Sequence, residues 1–136
     1  MDETYENIIK HIRISVRGDY GKMLVGRAVL RVLNYPSYIC FRVNRKWTSL
    51  IILPCESRES LSFQVPDRPF GKDGTEFVIT SKSFISGLVE RNGLELNKNY
   101  MIPGKYVEKE KCVVFNIADG FEHMMPVKEY NDEAAP

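Results

Sequence analysis

Histidine is almost missing from this sequence. His11 and His123 are the only two in 136 residues, and they lie near opposite ends. No local histidine metal motif can be built from them. No Ser, Cys or Asp stands in the sequence context of an activated nucleophile. The glycines that follow the first apolar segments, Gly18, Gly21 and Gly26, match neither the dinucleotide nor the P-loop spacing. Asp67 and Asp73 sit among prolines and glycines and read as turn formers. Cysteine is sparse too. Cys40, Cys55 and Cys112 form an odd set without metal-type spacing. They predict buried, reduced thiols in a cytoplasmic protein. No stretch approaches the roughly 18 apolar residues of a membrane span. The N-terminus is acidic and lacks the basic and apolar regions of a secretory signal. These absences argue against an enzyme, a metal site, a cofactor and a membrane protein.

What the chain does contain is a pattern that occurs twice. In the first copy, Lys22–Val25 is a short apolar segment between Gly21 and Gly26, which predicts a buried strand. From Arg27 the period changes. Val29, Leu30 and Leu33 recur at helical spacing. Asn34 tolerates a left-handed cap, and Pro36 forbids continuation. The predicted helix is about two turns long and must be held by packing. Tyr38–Val43 and Trp47–Leu53 then read as two strands joined by Asn44-Arg45-Lys46. Ile39, Phe41 and Val43 point one way, Tyr38, Cys40 and Arg42 the other. Leu50–Leu53 is apolar at successive positions, which predicts cover on both faces.

The second copy runs from Glu76 to Ile117. Phe77-Val78-Ile79 is again a short strand, and Thr80 or Ser81 is the candidate N-cap. Phe84, Ile85, Leu88 and Val89 form a helical stripe, stopped by Gly93. Tyr100–Val107 and Lys111–Ile117 are the strands, with Glu108-Lys109-Glu110 between them. The boundaries expected are 11–56 for the first repeat, 57–74 for a linker, 75–118 for the second repeat, and 119–136 for an acidic tail. The linker holds one alternating segment, Leu61–Val65, which suggests an extra strand. Before the first copy, Met1–Lys10 suggests a short helix and His11–Arg17 a strand whose Arg13 and Arg17 share a face. The expected core includes Ile39, Phe41, Leu50, Ile52, Val78, Phe84, Leu88, Val113 and Phe115. A half of this chain has a marginal core alone, so the copies are expected to fold together or with a partner chain.

Charge is distributed unevenly. The net charge is +1, yet residues 11–55 hold eight cations and one acid, a local charge of +7. Residues 56–136 carry −4. Such asymmetry points to nucleic-acid contact, to docking between halves, or to self-association. Arg27 and Arg31 share a helix face, and Arg27 occupies the first turn, the wrong end of the helix dipole for a cation. Neither placement favours the fold, which is consistent with an anionic partner.

The run Gly21-Lys-Met-Leu-Val-Gly-Arg-Ala-Val-Leu-Arg-Val-Leu33 resembles the loop, strand and short helix of SpoVT/AbrB-like DNA-binding domains. Lys22 stands where that pattern has Arg, and Gly26 where it has Pro. The resemblance covers roughly residues 12–55 and, more weakly, 75–117, which is similar to the tandem MraZ arrangement. It implies a mostly β fold with short helices, a swapped-hairpin β-barrel built from two strand-helix-strand-strand repeats. It also implies a homodimer or an internal pseudo-dimer. Its DNA-contacting positions carry over to Lys22 and Arg31, with Arg17 a looser match. Together with the charge pattern, the expected DNA-binding residues are Arg13, Arg17, Lys22, Arg27 and Arg31. The same barrel also hosts non-catalytic protein-interaction modules, so a transcriptional regulator and an antitoxin-like or assembly protein are the two readings.

Overall fold

Period-two alternation dominates the chain, and the structure, a computed structural model that describes residues 5–56, 61–65 and 77–123, is correspondingly mostly β. A short helix α1 (Tyr5–Ile9) precedes strands β1 (Arg13–Arg17) and β2 (Lys22–Val25). Helix α2 (Arg27–Val32) and the hairpin β3 (Tyr38–Val43) and β4 (Ser49–Cys55) complete the first unit. Strand β5 (Ser62–Gln64) follows. The second unit repeats the order with β6 (Phe77–Thr80), α3 (Lys82–Arg91), β7 (Asn99–Val107) and β8 (Cys112–Asn116). A 3-10 turn at Ile117–Asp119 leads into β9 (Phe121–Glu122).

All pairings are antiparallel, and the strands follow the order β5-β3-β4-β8-β7-β1-β2-β6, with β9 on the flank of β7. The path nearly closes on itself as a barrel; within the described residues β5 and β6 are not paired. Most of the pairing is its own image when the two units are exchanged; β1–β2 and β7–β9 have no counterpart within the described residues. Strand β2 pairs with β6, and β4 with β8, across the junction between units. Strand β1 pairs with β7 of the second unit, just as β5, which precedes that unit, pairs with β3 of the first. Even the flanking hydrogen bonds correspond: Gly104 N–H donates to Ile12 O, and Phe41 N–H to Leu61 O. The two copies therefore build one barrel within a single chain, with no second chain needed to complete these pairs.

Side chains on alternate positions fill the interior: Ile14 and Val16, Met23 and Val25, Ile39 and Phe41, Leu50 and Ile52, Val113 and Phe115. Helix α3 adds Phe84, Ile85, Leu88 and Val89, the stripe expected from its periodicity. Its C-terminus comes where Gly93 was read as the stop, with Gly93 at φ +70. Asn34 takes φ +63, as a left-handed cap should. Ser81 occupies the N-cap position, but its side chain makes no capping bond.

Three expectations fail, each for a tertiary reason. Val78 is 41 % exposed, because Phe77 and Ile79 take the two inward positions of β6. Ile51 and Leu53 are half-buried, so only Leu50 and Ile52 of β4 are fully covered. Trp47 lies in the hairpin turn at φ +62 and not on a strand. Ordered structure continues past residue 118, through the 3-10 turn and β9. The linker positions 57–60 and 66–76, including Asp67 and Asp73, and the tail beyond His123, including Met124 and Met125, lie outside the described residues.

Asn44 explains why the chain turns where it does. Its amide donates to Thr48 Oγ1 at 2.7 Å, and its carbonyl oxygen accepts from Ser49 N–H at 2.9 Å. The turn delivers Trp47 to the second unit. The indole lies 5.4 Å from the Phe84 ring, and the Arg91 guanidinium sits 4.5 Å from the centroid of the indole ring. Asn92 Nδ2 donates to the Trp47 carbonyl at 2.9 Å. The hairpin of one unit is thus clamped on the helix of the other.

The three cysteines carry no disulfide, and Cys40 and Cys112 are buried. Burial pushes the Cys112 thiol above its ordinary pKa, with a smaller push from Glu110. The native state therefore holds a proton that the unfolded chain releases from about pH 8.5 upward. By linkage this contribution to stability is complete below that pH and is lost as pH rises through the native value. Urea midpoints measured between pH 7 and 10 are expected to fall, and Cys112→Ala to flatten part of that fall. An unchanged slope in the variant would show that Cys112 is not the group responsible.

Candidate nucleic-acid interface

The β1–β2 ribbon carries three of the five expected site residues. In an antiparallel pair, residues directly opposite one another point to the same face. Ile14 and Val16 face the core, so Arg13, Ser15 and Arg17 face outward. Arg17 is opposite Lys22, and Lys22 is opposite Thr80 on β6. Two cations directly opposite one another oppose the pairing by some tenths of a kcal/mol.

The loop 18–21 fixes the end of the ribbon. Asp19 N–H donates to Leu96 O at 2.8 Å, and Ser86 Oγ donates to Gly18 O at 2.8 Å. Gly21 takes φ +63, and a Cβ there would run into the backbone of Lys82. Ser81 N–H donates to Gly21 O at 2.9 Å. The start of α3 is therefore pressed against the start of β2, and this brings Lys82 beside Lys22. Arg17, Lys22 and Lys82 form one cationic corner. Sequence reading does not single out Lys82, because Thr75-Glu76 stands where the first copy has Gly21-Lys22. Its signal was present: Lys82 opens its helix as Arg27 opens α2.

Arg17 does not present a bare charge. Its Nε donates to Asp19 Oδ1 at 2.8 Å and its second nitrogen to Asp19 Oδ2 at 3.3 Å. The guanidinium also lies 4.5 Å from the centroid of the Tyr20 ring. These contacts fix its orientation and offset part of its charge.

Arg13 lies at the other end of the ribbon, and Arg27 and Arg31 follow on α2. Gly26 N–H donates to Arg13 O at 3.1 Å, which seats the first turn of α2 on β1. Arg27 stands in that first turn, unfavourable for the dipole as expected. Arg31 is different. The helix is so short that Arg31 lies in the last turn, where a cation is favourable, and its Nε reaches Tyr35 Oη at 3.4 Å. Its placement is thus explained by the helix itself. The two groups of cations are separated by the length of β1, about 13 Å at the usual rise per residue.

A mostly apolar row, interrupted by the buried Ser15, crosses the same outer face between them. It runs from Phe121 on β9 through Met101, Ser15 and Leu24 to Val78 on β6, each opposite the next. Phe121 is 53 % exposed, Val78 is exposed, and Leu24 is buried by its neighbours. At the flank, Lys98 bridges Glu95 at 3.0 Å and Glu122 at 3.4 Å, and these contacts raise its pKa. Among the described residues no group of three or more His, Cys, Asp or Glu could hold a metal ion. Among the described residues no helix is long and apolar enough to cross a membrane.

The remaining cations lie elsewhere. Arg42, Arg45 and Lys46 are exposed on the β3–β4 hairpin, away from the β1–β2 face in strand order. The +7 region is therefore divided between two surfaces. No protein-family model matches the chain, and neither a curated protein nor a solved structure does.

Proposed function

We propose that this protein is a non-catalytic DNA-binding regulator of the SpoVT/AbrB-like, swapped-hairpin type, with two repeats acting as an internal pseudo-dimer. The observation that carries this reading is the outward row of Arg17 and Lys22 joined by Lys82, with Arg13 and Arg27 at the far end of the same ribbon. A separation of about 13 Å suits phosphates on the two walls of a major groove about 12 Å wide. Cations placed this way position a backbone and do not read bases. The test is a fluorescence titration of labelled duplex DNA at several salt concentrations. With about three phosphates neutralised, log K is expected to fall with log salt at a slope of about −3. Lys22→Ala is expected to weaken binding to all sequences and to make that slope shallower by about one.

A protein-interaction module is the second reading, and specific features favour it. Asp19 already offsets Arg17, and the Phe121-to-Val78 row offers apolar area next to charge. Absence of DNA binding at low salt would reject the first reading in favour of this one.

A further inference from the structure

We infer that the β3–β4 hairpin turn is a second phosphate-contacting surface, so that one molecule holds two DNA duplexes on opposite walls of the barrel. The inference rests on the DNA-binding reading of the β1–β2 face and adds a second site to it. In the strand order, two strands separate β3–β4 from β1–β2 in either direction, β8 and β7 one way, β5 and β6 the other. The two ribbons therefore stand on opposite walls. Helix α3 lies between their ends. Lys82 at its start belongs to the cationic corner, and Arg91 at its end lies on the Trp47 ring. Nine residues of helix separate them, about 13.5 Å.

The turn carries cations that the fold does not use. Its closing hydrogen bonds come from the Asn44 side chain, Thr48, the Ser49 N–H and the Trp47 N–H, which donates to Asn44 O at 3.0 Å. Arg45 and Lys46 are exposed at its tip. No Asp or Glu occurs between Gly21 and Cys55. The second unit supplies the comparison. Its turn from β7 to β8 consists of Glu108, Lys109, Glu110 and Lys111, with no net charge. A hairpin of this fold thus closes without a basic turn. Arg91 adds a third cation, oriented by the indole and favourable at the helix C-terminus. Glu90 is the one acid on α3, so the three cations keep a net charge of +2. Because Trp47 and Asn92 fix the turn on α3, its backbone pays little to bind. Such cations hold a phosphate backbone and read no bases.

The test loads the full chain onto a tethered DNA duplex at low salt and then applies a second, dye-labelled duplex. The loaded protein is expected to capture the second duplex, with a salt slope of about −2 for two phosphates. Arg45→Ala with Lys46→Ala is expected to load as the full chain does and to lose capture at least about tenfold. Lys109→Ala with Lys111→Ala removes the same charge and is expected to capture normally. Urea midpoints of both variants are expected to match that of the full chain. Loading without capture would overturn the inference and leave the DNA-binding reading standing. So would undiminished capture by the Arg45, Lys46 variant, which would place the second duplex on another copy of the protein. Equal loss in the Lys109, Lys111 variant would reduce the effect to overall charge and also overturn it. No loading of the full chain on DNA would overturn both.

Discussion

Phe115→Ala is expected to remove about 3–5 kcal/mol of stability, a large part of the total for a domain of this kind. Phe115 is fully buried on β8, opposite Leu50 on one side and Gly104 on the other. A Cβ at Gly104 would run into the Phe115 ring. The ring thus occupies the volume that a side chain on β7 would otherwise fill. Truncating it opens a cavity where β4, β7 and β8 meet, the place where the two units share their core. The reciprocal change follows from the same geometry. Gly104→Ala is expected to cost about 1–3 kcal/mol by overpacking. In the Phe115→Ala background it is expected to cost less or even to stabilise, since the new methyl enters the cavity. A double-mutant cycle in urea measures this coupling, expected at about 1 kcal/mol or more. Additive effects would contradict the packing described. Val78→Thr on the outer face of β6 serves as the control, with an expected change within about 0.5 kcal/mol.

Cutting the chain in the linker is expected to have the second large effect. The pairs β2–β6, β4–β8 and β1–β7 all join one unit to the other. The hairpin ring Phe41 also lies 5.6 Å from Phe84 of the second unit, beside the Trp47 contact. Neither half can keep its inner face dry without its counterpart, and chains of this size have marginal cores. Fragments 1–65 and 77–136 are each expected to lack a folded monomeric state. Mixed in equal amounts, they are expected to recover the β spectrum and a cooperative melt as a one-to-one complex. Circular dichroism with light scattering reads both properties. A fragment that unfolds cooperatively as a monomer would show that the units are independent domains.

The site was only partly legible before the fold was known. Arg13 and Arg17 were assigned to one face because alternation along a single strand is a local property. The pairing of Arg17 with Asp19 was not apparent, since it depends on the bend of the 18–21 loop, which Leu96 and Ser86 fix from the second unit. Lys82 joined the corner through the contact of Gly21 with α3, between residues far apart in the chain. Arg31 looked misplaced until the helix proved short enough to put it in the last turn.

By itself the sequence determined the order of elements and its repetition, the buried stripe of α3, the left-handed turn at Asn34 and the stop near Gly93. Each depends on residues within one or two turns of one another, where periodicity and backbone sterics act directly. Only the tertiary structure decided which face of a short apolar strand is covered. Val78 lies between Phe77 and Ile79 in a segment without alternation, so its direction follows from the register of β6 on β2. The same holds for Ile51 and Leu53, which face outward because β4 pairs with β3 and β8 through one register. Pairing between distant strands is set by the shared core, and no local pattern in either strand specifies it.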